Sequence, residues 1–441
     1  MSFLTNIRAD KSITEIKSAK DIAAPSTQKA IAKLRGLGAG VIPSVAAAPD
    51  EADKVATLGF IEVLSGIVNQ KTLPEFFRLM VEGSPRVVSG VAWALSSSRN
   101  YPPHLLLEAL SVEGISKSSV MDVILAQKSR FTVRELLTAA YQQQPNEKAA
   151  LFRVIGEMAS DEHVAELIGR MQGKDPIARL HIINILSRFN TPDVQRALQG
   201  QLKDPSKLVR AATLSALQKM DGPIDVAQLC EMLRDPELDV QNKAIDVVIK
   251  ANDPETIKYL IPILQDENEY ARRAAVEVLN EIGDTNSIKD LLAAIADADW
   301  WVRSRAADAL GKIGGPKVVD AVLHLIRDDD QDIRRAAIEI LNQTKDERAV
   351  SHLIDATKDP DWWVSERAVD ALAEIGNKRA VPRLMEMLQN TPAKSLPVVV
   401  RALGRLGDQK VLESVMSMLT REEKDIRVEA IGALSKLADE R

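Results

Sequence analysis

Between residues 297 and 327 the apolar positions fall into two stripes separated by glycine. Val302, Ala306, Ala309, Leu310 and Ile313 follow the spacing of a helix with one buried face, and Val318, Val319, Val322, Leu323 and Ile326 form a second stripe after Gly314. Gly283, Gly314, Gly376 and Gly407 stand at one equivalent position just past the longer stripe, which predicts a left-handed cap where a Cβ is penalised. Pro262, Pro316 and Pro382 are predicted near the starts of the following helices, where a missing N–H costs little. The unit is thus a helical hairpin. No segment alternates as a half-buried strand would, so the predicted fold class is all-α.

The hairpin recurs. Asp204, Asp235, Asp266, Asp297, Asp328 and Asp359 are spaced by a constant 31 residues, and the same step reaches Asn390 and Arg421 forward and Gly173 and Gln142 backward. Six positions after each marker come Arg179, Arg210, Gln241, Arg272, Arg303, Arg334, Ser365, Leu396 and Arg427. A pair of short helices cannot bury its apolar face alone. Neighbouring pairs must therefore stack into an α-solenoid with a concave and a convex surface.

Three segments are expected: an N-terminal capping helix in 1–26, running from Ser12 to Ala23; divergent units in 27–172; and regular units in 173–441. Residues 84–145, with "SSSRNYPPH" and "YQQQPNEK", are predicted to hold longer loops. Asn390 and Leu396 break the Asp/Arg pattern and Pro397 interrupts a helix start, which predicts a bend or notch. The last helix carries Val428 and Ile431 and is no more polar than an internal one. Its end is expected either to fray as a natural terminus or to meet a downstream domain or another copy of the chain.

Phrases such as "DADWWVRSRAADALGKIG" and "DPDWWVSERAVDALAEIG" resemble the HEAT-repeat superfamily, and the short unit is similar to the branch named after phycobiliprotein lyases. The resemblance runs from about Gly173 to the C-terminus. It implies a stacked ladder of loop Asp and helix Arg, with Asp297 and Arg303 as one rung, and a second helix lining the concave face. The residues support a ladder independently, since an Asp at a helix start accepts free N–H groups and an Arg behind it can bridge to the next loop. The resemblance also allows a regulatory segment of a larger bacterial signalling protein, a bilin attachment factor acting on a partner's cysteine, and a HEAT-like DNA-repair glycosylase.

Composition narrows the choice among these. The 441 residues carry a net charge of −6, which disfavours nucleic acid and with it the glycosylase. The single cysteine, Cys230, reads as a small core residue in a reducing compartment. The first residues lack an apolar signal region, so the expected location is cytoplasmic, with no membrane partner. "GLGAG" at Gly36, Gly38 and Gly40 follows a helix and reads as a helix stop. His104, His163, His181, His324 and His352 show no ligand spacing. Asp328, Asp330, Asp332 and Glu339 mimic a calcium loop, but Ile333 stands where that loop needs glycine. No catalytic residue, cofactor or metal is expected.

The candidate chemistry is aromatic. Trp300, Trp301, Trp362 and Trp363 account for all but one tryptophan, both pairs open a second helix, and Tyr270 shares the register of Trp301 and Trp363. Exposed Trp beside Arg suits a protein anchor, whereas rings folded over the inter-unit seam would simply pack. On the same helices, Arg273, Arg305, Arg335 and Arg367 alternate with Glu277, Asp308, Glu339 and Asp370. Such mixed charge fits a protein or peptide, or else a solvated face with Arg305–Asp308 and Arg367–Asp370 pairs one turn apart. The leading expectation is a non-enzymatic protein-interaction scaffold that uses these turns and the concave face.

Overall fold

The computed structural model describes residues 3–439, which form 28 α-helices linked by turns and short 3₁₀ segments, with no strand among the described residues. The helices group into two compact units, Met1–Leu198 and Gln199–Arg441. Each is a stack of helical hairpins in which every second helix packs on the next. No single helix among the described residues is long and apolar enough to cross a membrane.

Within the second unit, the hairpin of Ile288–Ala294 and Trp300–Ile313 shows how the pattern folds. Val302, Ala306, Ala309 and Leu310 are buried to within 1 % of completely, as are Val318, Val319 and Val322 of the following Gly315–Val322 helix. Ile313 and Leu323 are only half-buried at the edges of their stripes. Consecutive second helices such as Trp300–Ile313 and Gln331–Thr344 pack far more closely than consecutive first helices such as Thr256–Leu264 and Ile288–Ala294. The row whose members lie closer occupies the inner side of a curved stack.

Several local expectations are corrected. Gly376 and Gly407 do adopt left-handed caps, at φ +77° and +63°, but Gly283 is extended at φ −61°. Glycine is needed there for space instead, because a Cβ would stand 2.3 Å from the Leu279 carbonyl oxygen. Asn252 and Lys345 take the left-handed cap at the equivalent position without being glycine. Pro316 and Pro382 open their helices, whereas Pro262 lies inside Thr256–Leu264, near its end.

The opening helix is Phe3–Lys17, earlier than 12–23, and it buries Ala9, Ser12 and Ile16 against Pro25–Gly36 and Lys54–Ile67. The segment 84–145 is mostly helical: "YQQQPNEK" contains a turn of only three residues before the Pro145–Met158 helix, and "SSSRNYPPH" a short loop before His104–Ala109. Pro397 does not interrupt a helix. It opens Leu396–Leu406, and Asn390 ends Val381–Asn390, leaving a five-residue connection between them. Cys230 is 1 % exposed, and burial pushes its thiol up to about 12, so it is an inert core group.

Candidate functional site

The site is built on the turn that joins the two helices of each hairpin. Each marker carboxylate accepts the N–H two residues on, as Asp297 does from Asp299 at 2.8 Å and Asp359 from Asp361 at 2.8 Å. The marker closes the turn and does not cap the helix. Capping falls to the residue two places later: Asp299 accepts from Trp301 and Val302 N–H, and Asp361 from Trp363 N–H, all at 3.1 Å. That placement fixes both Trp pairs at the N-terminus of their helices.

A ladder of arginines ties these turns together, and it runs with a two-hairpin period. Arg210, Arg272 and Arg334 each hold the next unit's marker, Asp235, Asp297 and Asp359, through two bonds of 2.6–3.2 Å. Each also donates Nη1 to its own marker's carbonyl oxygen at 2.8–2.9 Å. The intervening positions differ. Gln241 bonds the Leu233 carbonyl, Ser365 bonds the Thr357 carbonyl, and Arg303 reaches Asp332 at 3.3 Å instead of Asp328.

The candidate residues assemble into two clusters 62 residues apart. In the first, Arg273 grips Asp299 with bonds of 3.0 and 2.5 Å while its guanidinium lies 5.3 Å from the Tyr270 ring centre. Arg305 grips Glu277 of the preceding second helix at 2.7 and 2.8 Å and lies 5.3 Å from the Trp301 ring. In the second, Arg335 bonds Asp361 at 2.6 Å and Arg367 bonds Glu339 at 2.6 and 3.1 Å. Both guanidinium groups lie over Trp363, at 5.9 and 5.7 Å. The pairs within one helix are the weaker ones: Arg305–Asp308 spans 3.4 Å and Arg367–Asp370 3.7 Å. The mixed-sign face is therefore stitched mainly between neighbouring hairpins. Glu339 is committed to Arg367 and Asp330 to a helix cap, so the calcium-like spacing does not converge.

Exposure separates the rings. Trp300 is 62 % exposed, Trp362 56 %, Tyr270 43 % and Trp301 38 %, while Trp363 is half-buried. Trp300 meets Trp301 edge to face at 5.5 Å between ring centres. Lys394, from the connection after Asn390, sits 5.0 Å from the Trp362 ring. Three participants were not apparent from sequence. Asp299 and Asp361 stand at a constant two residues past the marker, a signal the periodicity contains; Lys394 comes from an irregular connection and has none. Arg273 and Arg335 hold Asp299 and Asp361 below the usual carboxylate range, helped by the helix N–H groups. Bonds to their carboxylates raise Arg273, Arg305 and Arg335 further.

This arrangement offers flat apolar rings with fixed, neutralised charges behind them. It offers no nucleophile paired with a base, and no group of three metal-ligating side chains occurs among the described residues.

A sequence profile described as HEAT repeats matches residues 133–218, 164–249, 226–297, 257–335 and 322–396, together well over half of the chain. No curated protein sequence matches it. Solved structures with a similar fold include Kap121p bound to Pho4p (15 % identity, TM-score 0.55, 84 % of this chain and 49 % of that one). The karyopherin Kap121p bound to the extreme C-terminus of the protein phosphatase Cdc14p is similar too (14 %, 0.56, 84 % and 49 %). So is Kap121p bound to the SUMO protease Ulp1p (13 %, 0.55, 98 % and 49 %). The chain spans about half the length of these karyopherins.

Proposed function

The chain belongs to the HEAT-repeat family, and from that premise we propose that it is a non-enzymatic scaffold whose Trp-bearing turns and inner helix face hold a partner protein or peptide. The observation that carries this reading is the exposure of Trp300 and Trp362 at one register of the stack, each following a capping carboxylate, Asp299 or Asp361, that an arginine already pairs. Burying an exposed indole is among the most productive contacts an interface makes, and a backing of satisfied ion pairs removes the penalty of stranding a charge. Tyr270, Trp301, Arg273 and Arg305 complete the first contact cluster, and Trp363, Arg335 and Arg367 support the second. The karyopherins of similar fold are seen bound to other proteins, which agrees with a protein partner here. The bilin and glycosylase readings gain no comparable support, since Trp301 and Trp363 face guanidinium groups and not an apolar groove, and the turns are acidic.

The reading is tested by affinity capture from host lysate with the wild-type chain and a Trp300→Ala/Trp362→Ala variant of unchanged helicity. A protein retained by the first and lost by the second supports the scaffold. Equal capture by both removes the tryptophans from the interface.

A further inference from the structure

Every large apolar side chain exposed between residues 199 and 400 lies at the start of a second helix: Leu208, Leu238, Tyr270, Trp300, Trp301 and Trp362. Single exposed apolar residues are ordinary, but a row confined to two adjacent positions at the head of the second helix, in five of six consecutive hairpins, is not. With packed helices about 8–10 Å apart, the row extends roughly 40–50 Å along the stack.

The row is set in negative charge. The six eight-residue segments beginning at Asp204, Asp235, Asp266, Asp297, Asp328 and Asp359 hold sixteen carboxylates against seven Lys and Arg, a net −9 where the whole chain has −6. Each helix N-terminus offsets about half a charge, about +3 in all, so the row stays negative. The rings themselves already select cations. Arg273 lies over Tyr270, Arg305 over Trp301, Arg335 and Arg367 over Trp363, and Lys394 over Trp362. Trp300, the most exposed of them, has no cation on its face among the described residues. Its turn also walls a recess of about 390 Å³ lined by Asp266, Arg272, Asp290 and Asp297, whereas the recess at the equivalent turn 62 residues later, about 350 Å³, is lined by Arg327, Arg334 and Lys358 beside Asp328, Asp355 and Asp359. Asp290 is half-buried there and makes no ion pair among the described residues.

Resting on the scaffold reading above, we infer that the partner segment is basic: a lysine- and arginine-bearing stretch of protein that lies along this row, with one cation on the open face of Trp300 and another opposite Asp290. Cation–π contact and charge complementarity then act together, and apolar side chains of the same stretch cover Leu208 and Leu238.

The test is fluorescence anisotropy with a labelled lysine- and leucine-containing peptide and its counterpart bearing glutamate for lysine. The lysine peptide is expected to bind, to weaken as salt rises, and to lose roughly tenfold in affinity with Trp300→Ala and with Asp290→Asn, both variants keeping wild-type helicity. Equal binding of the glutamate peptide, or lysine-peptide binding indifferent to both substitutions, overturns the inference. A lysate partner that needs Trp300 and Trp362 yet ignores excess lysine peptide would leave the scaffold standing and sink the basic segment alone.

Discussion

The two Trp pairs open their helices in nearly the same words, "DADWWV" and "DPDWWV", yet the second ring of each pair is held differently. Trp301 has one guanidinium over its ring and is more than a third exposed, whereas Trp363 has two and is half-buried. The cause sits one hairpin earlier. Tyr270 offers Arg273 a ring of its own, while the equivalent position in the later cluster is Asp332, so Arg335 lies over Trp363 while keeping its bond to Asp361. How open an anchor is thus depends on the preceding unit, not on the anchor's own residues.

The comparison assumes a common core, and core truncation should cost most. Leu310→Ala and its counterpart Leu372→Ala, both fully buried, should each lose about 2–5 kcal/mol in denaturant unfolding, as should Leu341→Ala between them. A small loss at only one of the equivalent pair would break the equivalence. Next comes Arg335→Ala, which strands the 7 % exposed Asp361 carboxylate. Since the guanidinium itself is partly in water, the cost should fall near about 1–2 kcal/mol.

The same pair sets an acid response. The folded state holds Asp299 and Asp361 below their ordinary range, so their stabilisation is complete above about pH 4 and is lost as pH falls further. Asp361→Asn should flatten that part of the stability profile, and an unchanged slope would remove Asp361 from it.

Asp332→Tyr should draw Arg335 away from Trp363, a change of about 0.5–1 kcal/mol. In a background with Trp363 as the only tryptophan, acrylamide quenching should rise toward that of Trp301. The smallest effect belongs to Trp300→Ala, expected to shift stability by no more than about 0.5 kcal/mol. A loss of several would mean that the ring packs and is no anchor.

Much of this was legible in the sequence because a repeat reads the same rule many times. The stripe of Val302, Ala306 and Leu310 and the alignment of Asp297 with Arg303 give the hairpin and its stacking directly. The caps were less legible, since Gly283 serves space where Gly376 serves φ, and Lys345 takes a left-handed turn that its side chain does not advertise. At the site, the positions of the rings were readable but their partners were not. Arg305 turns to Glu277 on a neighbouring helix in preference to Asp308 on its own, a choice made by three-dimensional distance.

The alternation of the ladder bears on what could be cut from this protein or added to it. Glu277 needs the arginine that stands at 305, and the corresponding residue one hairpin later is Ala336. Excising 297–327 would keep the helices in phase and strand that carboxylate, whereas excising 266–327 would remove both partners and leave Arg335–Asp361 and Arg367–Glu339 whole. Backbone geometry counts in single hairpins, and side-chain chemistry counts in pairs. A viable insertion or deletion, natural or designed, should come in twos.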